Sequence, residues 1–280
     1  MEIFKTAEEM HAWSARQRRD GKTIAFVPTM GALHQGHLSL LREGRRRGDR
    51  LTLSIYVNPT QFGPTEDLGN YPRDLHGDLE KAREQGVDAV FLPTDQVMYP
   101  QGYQTYVTVD DLAHPLCGQR RPTHFRGVAT VVTKLFIIVA PDVAIFGEKD
   151  FQQLVLIHRM SRDLNLPVEI VGCPIVREQD GLAMSSRNAY LSPEEREAAR
   201  SLFRSLDVAQ ALVDKGATDP GAILKQVRAT IEATKLARID YAKLVDPDTL
   251  KELPTFKAPA LLALAAFVGK TRLIDNRLFS

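Results

Sequence analysis

Within Thr29-Met30-Gly31-Ala32-Leu33-His34-Gln35-Gly36-His37, two imidazoles stand three residues apart at the start of a helical pattern. That spacing puts both rings on one face of a first helical turn. A helix N-terminus supplies unpaired N–H groups and the positive end of the backbone dipole, a setting that suits phosphate. Imidazole N–H groups add donors at an α–β phosphoryl bridge as charge builds there in a transition state. The glycines let the backbone come close to such a group. A metal site fits less well, since no carboxylate or third histidine lies nearby. The plain alternative is a histidine pair that only packs.

Other polar residues follow other apolar runs. Asn58-Pro59-Thr60-Gln61-Phe62 comes after one, and Gly147-Glu148-Lys149-Asp150, with Gln152 and Gln153 behind it, after another. Lys149 would act as a point charge on a triphosphate. Its plain reading is a solvated lysine, although a cation is disfavoured at a helix start. Gln61 and Gln153 carry neutral amides that donate and accept, which suits the hydroxyl and carboxylate of a small hydroxy acid. Taken alone, each is an ordinary surface glutamine. Met184-Ser185-Ser186-Arg187 offers two hydroxyls and a guanidinium to phosphate oxygens, against the reading of a serine-rich linker. His11, His76 and His158 fall in helical patterns and read as surface or capping residues. His124 lies in the polar turn Arg121-Pro122-Thr123-His124-Phe125-Arg126-Gly127, which would flank the crevice described next.

The elements that must position these residues show as alternation. Thr6 and Glu9 form a capping box, predicting a helix over Ala7–Arg19. β-rich runs at 23–27, 51–57, 88–92, 143–146 and 168–176 alternate with helical patterns that start near Gly36 and cover 75–85, 125–139 and 151–164. This spacing predicts an α/β fold, a parallel sheet covered on both faces and doubly wound by right-handed crossovers. Ligands bind such sheets outside the carboxyl ends of the strands, near the switch in winding. The polar segments at 29–37, 58–62 and 147–153 therefore converge on one crevice. After Asp180-Gly181 the texture changes. Ser192-Pro193-Glu194-Glu195 and Asp219-Pro220 start helices, and β runs follow at 239–245 and 261–268. The expectation is a larger domain over 1–176 and a smaller α+β domain over 177–280. Met184–Arg187 would sit at their junction, where a closing lid brings it to the crevice.

Composition narrows the partners. The 280 residues are 44% hydrophobic and 25% charged, as in an ordinary globular protein without disordered bias. A net charge of +1 makes no demand for nucleic acid or an anionic membrane. The basic stretch 42–50 reads as solvated cations near a helix C-terminus. Cys117 and Cys173 are too few for a disulfide framework and lack zinc spacing, so buried, reduced thiols are expected. The first six residues lack the apolar core of a signal peptide, and no run of about 18 apolar residues is available to span a bilayer. A soluble, cytoplasmic protein with neither nucleic-acid nor membrane partner is the expectation.

The four segments Val27–His37, Val57–Phe62, Gly147–Gln153 and Leu182–Asn188, in that order, resemble the motif set of the pantothenate synthetase (pantoate–β-alanine ligase) family. The likeness runs from Phe26 to Leu273-Ile274-Asp275-Asn276. A His-x-Gly-His alone would mark only the wider nucleotidyltransferase superfamily, which includes class I aminoacyl-tRNA synthetases. The resemblance implies a Rossmann-type sheet domain with a C-terminal lid, in a homodimer. It also implies that ATP activates pantoate as pantoyl adenylate with loss of pyrophosphate, and that β-alanine then displaces AMP. By similarity, Met30, Gly31, Ala32, Leu33, His34, Gln35, Gly36 and His37 would contact ATP, with His37 the proton donor and His34 beside it. Gly147, Glu148, Lys149, Asp150, Val176, Met184, Ser185, Ser186 and Arg187 would complete the ATP site, Lys149 and Arg187 among the catalytic groups. Gln61 would touch pantoate and β-alanine, and Gln153 pantoate. Mg²⁺ would accompany ATP. Asp78 and Asp150 could approach it, but Mg²⁺ usually keeps waters and substrate phosphates as ligands. Two alternatives stand beside this reading. A nucleotidyltransferase acting on a phosphorylated acceptor would want a basic acceptor pocket. A non-catalytic nucleotide sensor would not need both histidines together with Lys149 and Arg187.

Overall fold

A computed structural model describes residues 1–64 and 66–280, in two compact units. The first comprises Met1–His114, Gly118–Glu148 and Gln153–Pro174. The second comprises Ile175–Ser280 together with Pro115–Cys117 and Lys149–Gln152.

The first unit is built on a parallel sheet. Strands β1 (Glu2–Phe4), β2 (Ile24–Thr29), β3 (Arg50–Ile55), β4 (Ala89–Phe91), β5 (Val143–Gly147) and β6 (Glu169–Cys173) pair in the order β1-β4-β3-β2-β5-β6, all parallel. The doubly wound sheet expected from the alternation is present, and the winding reverses between β2 and β5. The helices of this unit are α1 (Ala7–Arg19), α2 (Gln35–Arg47), α3 (Leu75–Glu84), α4 (His124–Val139) and α5 (Phe151–Asp163), with three single-turn helices between α3 and α4. The Thr6/Glu9 capping box starts α1 as the sequence indicates.

Side-chain alternation along β2 divides the core. Ala25 and Val27 pack with Leu51, Leu53, Val143 and Ile145 beneath Leu38, Leu40 and Leu41 of α2. Phe26 points to the other face, where its ring meets Phe136 of α4 edge-on at 6.5 Å. Burying each such side chain contributes roughly 2 kcal/mol. Several predicted boundaries shorten: the run at 51–57 is a strand only over Arg50–Ile55, and the run at 168–176 only over Glu169–Cys173. In the second case Pro174 removes a ladder donor inside the predicted run, directly after the strand ends.

The second unit stacks α6 (Pro193–Asp214) and α7 (Pro220–Glu232) on an antiparallel sheet of β7 (Ala237–Val245), β8 (Ala260–Val268) and β9 (Thr271–Phe279), in that order. Ser192 and Glu195 form the expected capping box at the start of α6. The sequence pattern indicated β7 and β8 but not β9. Arg42, Arg45, Arg46, Arg47 and Arg50 stay at the surface, where Glu43, Asp88 and Glu169 pair with several of them. Both cysteines are buried free thiols. Among the described residues, no helix is long and apolar enough to cross a membrane.

One glycine sets how closely α4 approaches the short 3-10 turn Pro59–Gln61. A Cβ on Gly127 would lie 2.5 Å from the Thr60 carbonyl oxygen and 2.7 Å from the Gln61 nitrogen. Alanine is the better helix former by about 1 kcal/mol, but overpacking against backbone typically costs 1–3 kcal/mol. Gly127→Ala is therefore expected to lower the midpoint of urea unfolding. An unchanged or raised midpoint would mean that the turn yields without cost.

Candidate active site

The segments that follow β2, β3 and β5 all leave the carboxyl end of the sheet, with β2 and β5 flanking the switch point. Thr29–His37 forms the first of them. Gly31 and Ala32 are both left-handed, with φ of 82° and 51°. For alanine that conformation costs roughly 1 kcal/mol, so something must hold it. Asp78 of α3, 1% exposed, accepts from the Ala32 N–H at 2.8 Å and from the Leu33 N–H at 2.6 Å. Lys81, one turn further along α3, donates to the Leu33 carbonyl at 2.9 Å.

The histidines occupy the next positions. His34 is the N-cap of α2, and its Nδ1 accepts from the Gly36 N–H at 3.2 Å. His37 Nδ1 in turn accepts from the His34 N–H at 3.3 Å, closing a capping box made of imidazoles. Their ring centroids lie 4.1 Å apart. A ring nitrogen that accepts from an amide carries no proton, so Nε2 is the protonated nitrogen of each neutral ring. This changes the expected role of the backbone. The N–H groups of Gly31, Ala32, Leu33, His34 and Gly36 already have acceptors in Thr29, Asp78 and the two imidazoles. The positive end of the helix is relayed through Nε2–H groups rather than presented by those amides.

After β3, Asn58 organises the second segment. Its Nδ2 donates to Gln61 Oε1 at 3.0 Å and to the Gly127 carbonyl at 3.2 Å. Its Oδ1 accepts from Thr60 and, at 2.9 Å, from the Tyr99 hydroxyl. Burial pushes the Tyr99 phenol up to about 12, so it remains a donor at neutral pH. With Oε1 held by Asn58, Gln61 turns Nε2 toward Met30 Sδ, 3.0 Å away. Two residues singled out in the sequence, Met30 and Gln61, thus meet.

Behind Gln61 lies a network that sequence reasoning placed only as a flanking turn. His124 opens α4 and contacts the Gln61 carbonyl through Nδ1 at 2.8 Å. Arg121 reaches His124 Nε2 at 3.1 Å. A guanidinium can only donate, so His124 accepts at Nε2 and donates from Nδ1 to Gln61. Glu66 closes the chain with two bonds to Arg121, at 2.6 and 2.7 Å. Burial raises the Glu66 carboxyl, but the hydrogen bonds and charge of Arg121, together with the Gly63 N–H, hold it below the ordinary value.

Gly147 ends β5, with Glu148 after it; burial raises the Glu148 carboxyl. Gln153 is half-buried in the first turn of α5. Lys149 and the exposed Asp150 fall in the segment that groups with the second unit. That unit also contains Val176, Met184, Ser185, Ser186 and Arg187. There Met184 N–H donates to the Val176 carbonyl at 3.0 Å, which makes the two neighbours across a hairpin. Ser185 caps the short 3-10 helix Ser186–Tyr190 through the Arg187 N–H. Among the described residues, no group of three or more His, Cys, Asp or Glu is placed to hold a metal ion. Both oxygens of Asp78 accept from backbone N–H groups.

The profile of the family described as pantoate-beta-alanine ligase matches residues 2–278. The chain belongs to the pantoate–β-alanine ligase family. A pantothenate synthetase of Desulfatibacillum aliphaticivorans is 58% identical over 277 residues, covering 99% of each chain. The crystal structure of pantothenate synthetase from Thermus thermophilus superposes with a TM-score of 0.94 at 45% identity, covering 99% of both chains. Pantoate-beta-alanine ligase from Francisella tularensis, solved with beta-gamma ATP and beta-alanine, gives 0.82 at 32% identity, over 99% of this chain and 97% of that one. Membership in the pantoate–β-alanine ligases makes the chain a ligase of pantothenate biosynthesis.

The support from α3 makes a testable claim. Asp78→Asn would turn one acceptor into a donor facing a backbone N–H, at an expected cost of about 1–3 kcal/mol. The urea midpoint should fall accordingly. A midpoint equal to the parent's would show that the carboxylate does not hold the loop.

Proposed function

We propose that the chain joins pantoate to β-alanine with ATP, through an enzyme-bound pantoyl adenylate, releasing pyrophosphate and AMP. The observation that carries this reading is the pair of imidazoles after β2 whose Nδ1 atoms accept from backbone N–H groups, in the same unit as the Gln61 amide. In the first step the pantoate carboxylate attacks the α-phosphate in line. His34 and His37 donate from Nε2 to oxygens that gain charge, with His37 the proton donor. Donors already oriented in the resting protein need no rearrangement as charge develops. Met30–His37, Gly147–Asp150, Val176 and Met184–Arg187 bind ATP in this reading. Lys149 and Arg187 act on its phosphates. Magnesium enters as the ATP complex, held mainly by phosphates and water.

Gln61 and Gln153 bind pantoate, and Gln61 also contacts β-alanine. Because Asn58 occupies Oε1 of Gln61, its Nε2–H is the group suited to a substrate oxygen. The β-alanine amine then attacks the acyl carbon and AMP departs. The Francisella relative, solved with beta-gamma ATP and beta-alanine, supports both ligands. A neutral amide here argues against a phosphorylated acceptor, and Arg121, the nearby cation, is paired with Glu66. Residues 1–176 form the ATP- and pantoate-binding domain in this account, and 177–280 a lid domain. A homodimer in the cytoplasm completes it.

This reading needs no nucleophilic side chain and no acyl-enzyme, since pantoate is activated by ATP alone. Pantoate and Mg-ATP alone should therefore support exchange of labelled pyrophosphate into ATP, and His37→Ala should abolish it. Exchange that required β-alanine would rule out a free-standing acyl adenylate. Turnover that forms no pantothenate from the three substrates would remove the ligase reading altogether.

A further inference from the structure

The Leu273–Asn276 motif has no part in the chemistry above, yet it contains two buried polar side chains. Asp275 is 2% exposed and Asn276 7% exposed, at the centre of β9. The arginine fork of Arg177 grips Asp275 through two bonds of 2.7 and 2.9 Å. The same guanidinium donates to the Gly181 carbonyl at 3.1 Å and lies 4.5 Å from the Phe203 ring centroid. Asp275 also accepts from the Asn276 N–H at 2.8 Å. Asn276 Nδ2 donates to the Lys149 carbonyl at 3.0 Å. Successive strand residues point to opposite faces, so one strand serves two separate segments.

Both segments are those assigned to ATP. Arg177 follows Val176 and forms a bridge to Ala183, next to Met184. Its grip on Asp275 therefore fixes the hairpin that leads to Met184–Arg187. The Asn276 bond fixes the main chain of Lys149. At its other end the Lys149–Gln152 segment is anchored by Gln152, which accepts from the Cys117 N–H at 3.0 Å and donates to the Pro115 carbonyl at 2.7 Å. A buried ion pair is weak support for stability, because well-packed apolar residues usually do as well. It does impose one geometry.

We infer that Asp275 and Asn276 are positioning residues for the adenylation chemistry, setting Lys149 and the Val176–Arg187 hairpin on a single strand. The inference rests on the proposed action of Lys149 on the phosphates. Asn276 touches no reacting atom and acts through Lys149.

The test is a double-mutant cycle on the full chain, with kcat, KM and pyrophosphate exchange measured for Asn276→Ala, Lys149→Ala and the pair. Asn276→Ala should lower kcat and exchange about tenfold, the size of one lost hydrogen bond. KM for pantoate should stay near the parent's, since Gln61 and Gln153 lie in the other unit. In the Lys149→Ala background the same change should cost less than about twofold. Asn276→Asp, isosteric but without the donor, should fall at least as far as alanine. Melting curves that match the parent's would separate these effects from misfolding. Parent-like rates for Asn276→Ala or Asn276→Asp would overturn the inference, as would full multiplication of the two losses. If a single variant melts early, the cycle is read from single-turnover rates on the folded fraction, under the same criteria. Parent-like activity in Lys149→Ala would instead sink the role of Lys149 itself, and this inference with it.

Discussion

Backbone N–H groups at the turn between β2 and α2 must find acceptors, and their choice of acceptor governs the first unit's chemistry. Helices ordinarily leave their first amides to water, a hydroxyl or a ligand. Here the imidazoles of His34 and His37 take that place, and Asp78 takes the amides just before. One arrangement thereby sets the left-handed Gly31-Ala32 backbone, the ring pair and the tautomer of both rings. Under the proposed function, a proton fixed on Nε2 is a donor held in advance for an oxygen that becomes more negative. The dipole of α2 reinforces that donor rather than opposing it.

The remaining functional segments are held in the same manner, by a buried polar side chain from an element distant in sequence. Asn58 exhausts its own hydrogen-bonding capacity to orient Gln61, while His124 and Arg121 secure the Gln61 main chain. In the second unit Asn276 does so for Lys149, and Asp275 for the Val176 hairpin through Arg177. Loops that must present groups to a substrate gain precision when a rigid helix or strand fixes their main chain. Gly127 belongs to the same scheme, since only a missing side chain lets α4 come within bonding distance of Asn58.

Much of this was legible in the residues and some was not, for physical reasons. The alternation of apolar runs with helical patterns disclosed the doubly wound sheet, because burial on both faces demands continuous apolar strands. Strand β1 carries little signal because it is a three-residue edge strand beside the start of α1. Strand β9 was hidden because Arg272, Asp275, Asn276 and Arg277 interrupt its apolar alternation. The candidate site residues were legible as types at a spacing: histidines three apart, a lysine after a strand, serines beside an arginine. Their supports were not. Asp78 meets a backbone amide 46 residues away and Asn276 a carbonyl 127 residues away. Every residue but proline carries the same amide, so no composition or spacing announces such a pairing.

The central claim concerns which nitrogen of each imidazole carries the proton, and it is open to direct observation. Side-chain nitrogen NMR on the ligand-free protein, labelled at histidine, reports each ring's tautomer at a pH of about 8, above the ordinary histidine range. Signals would be assigned by their loss in His34→Ala and His37→Ala. Both rings should show the downfield Nδ1 of an acceptor nitrogen and the upfield Nε2 of a protonated one. A proton on Nδ1 of either ring, or shifts averaged between the two tautomers, would contradict the account.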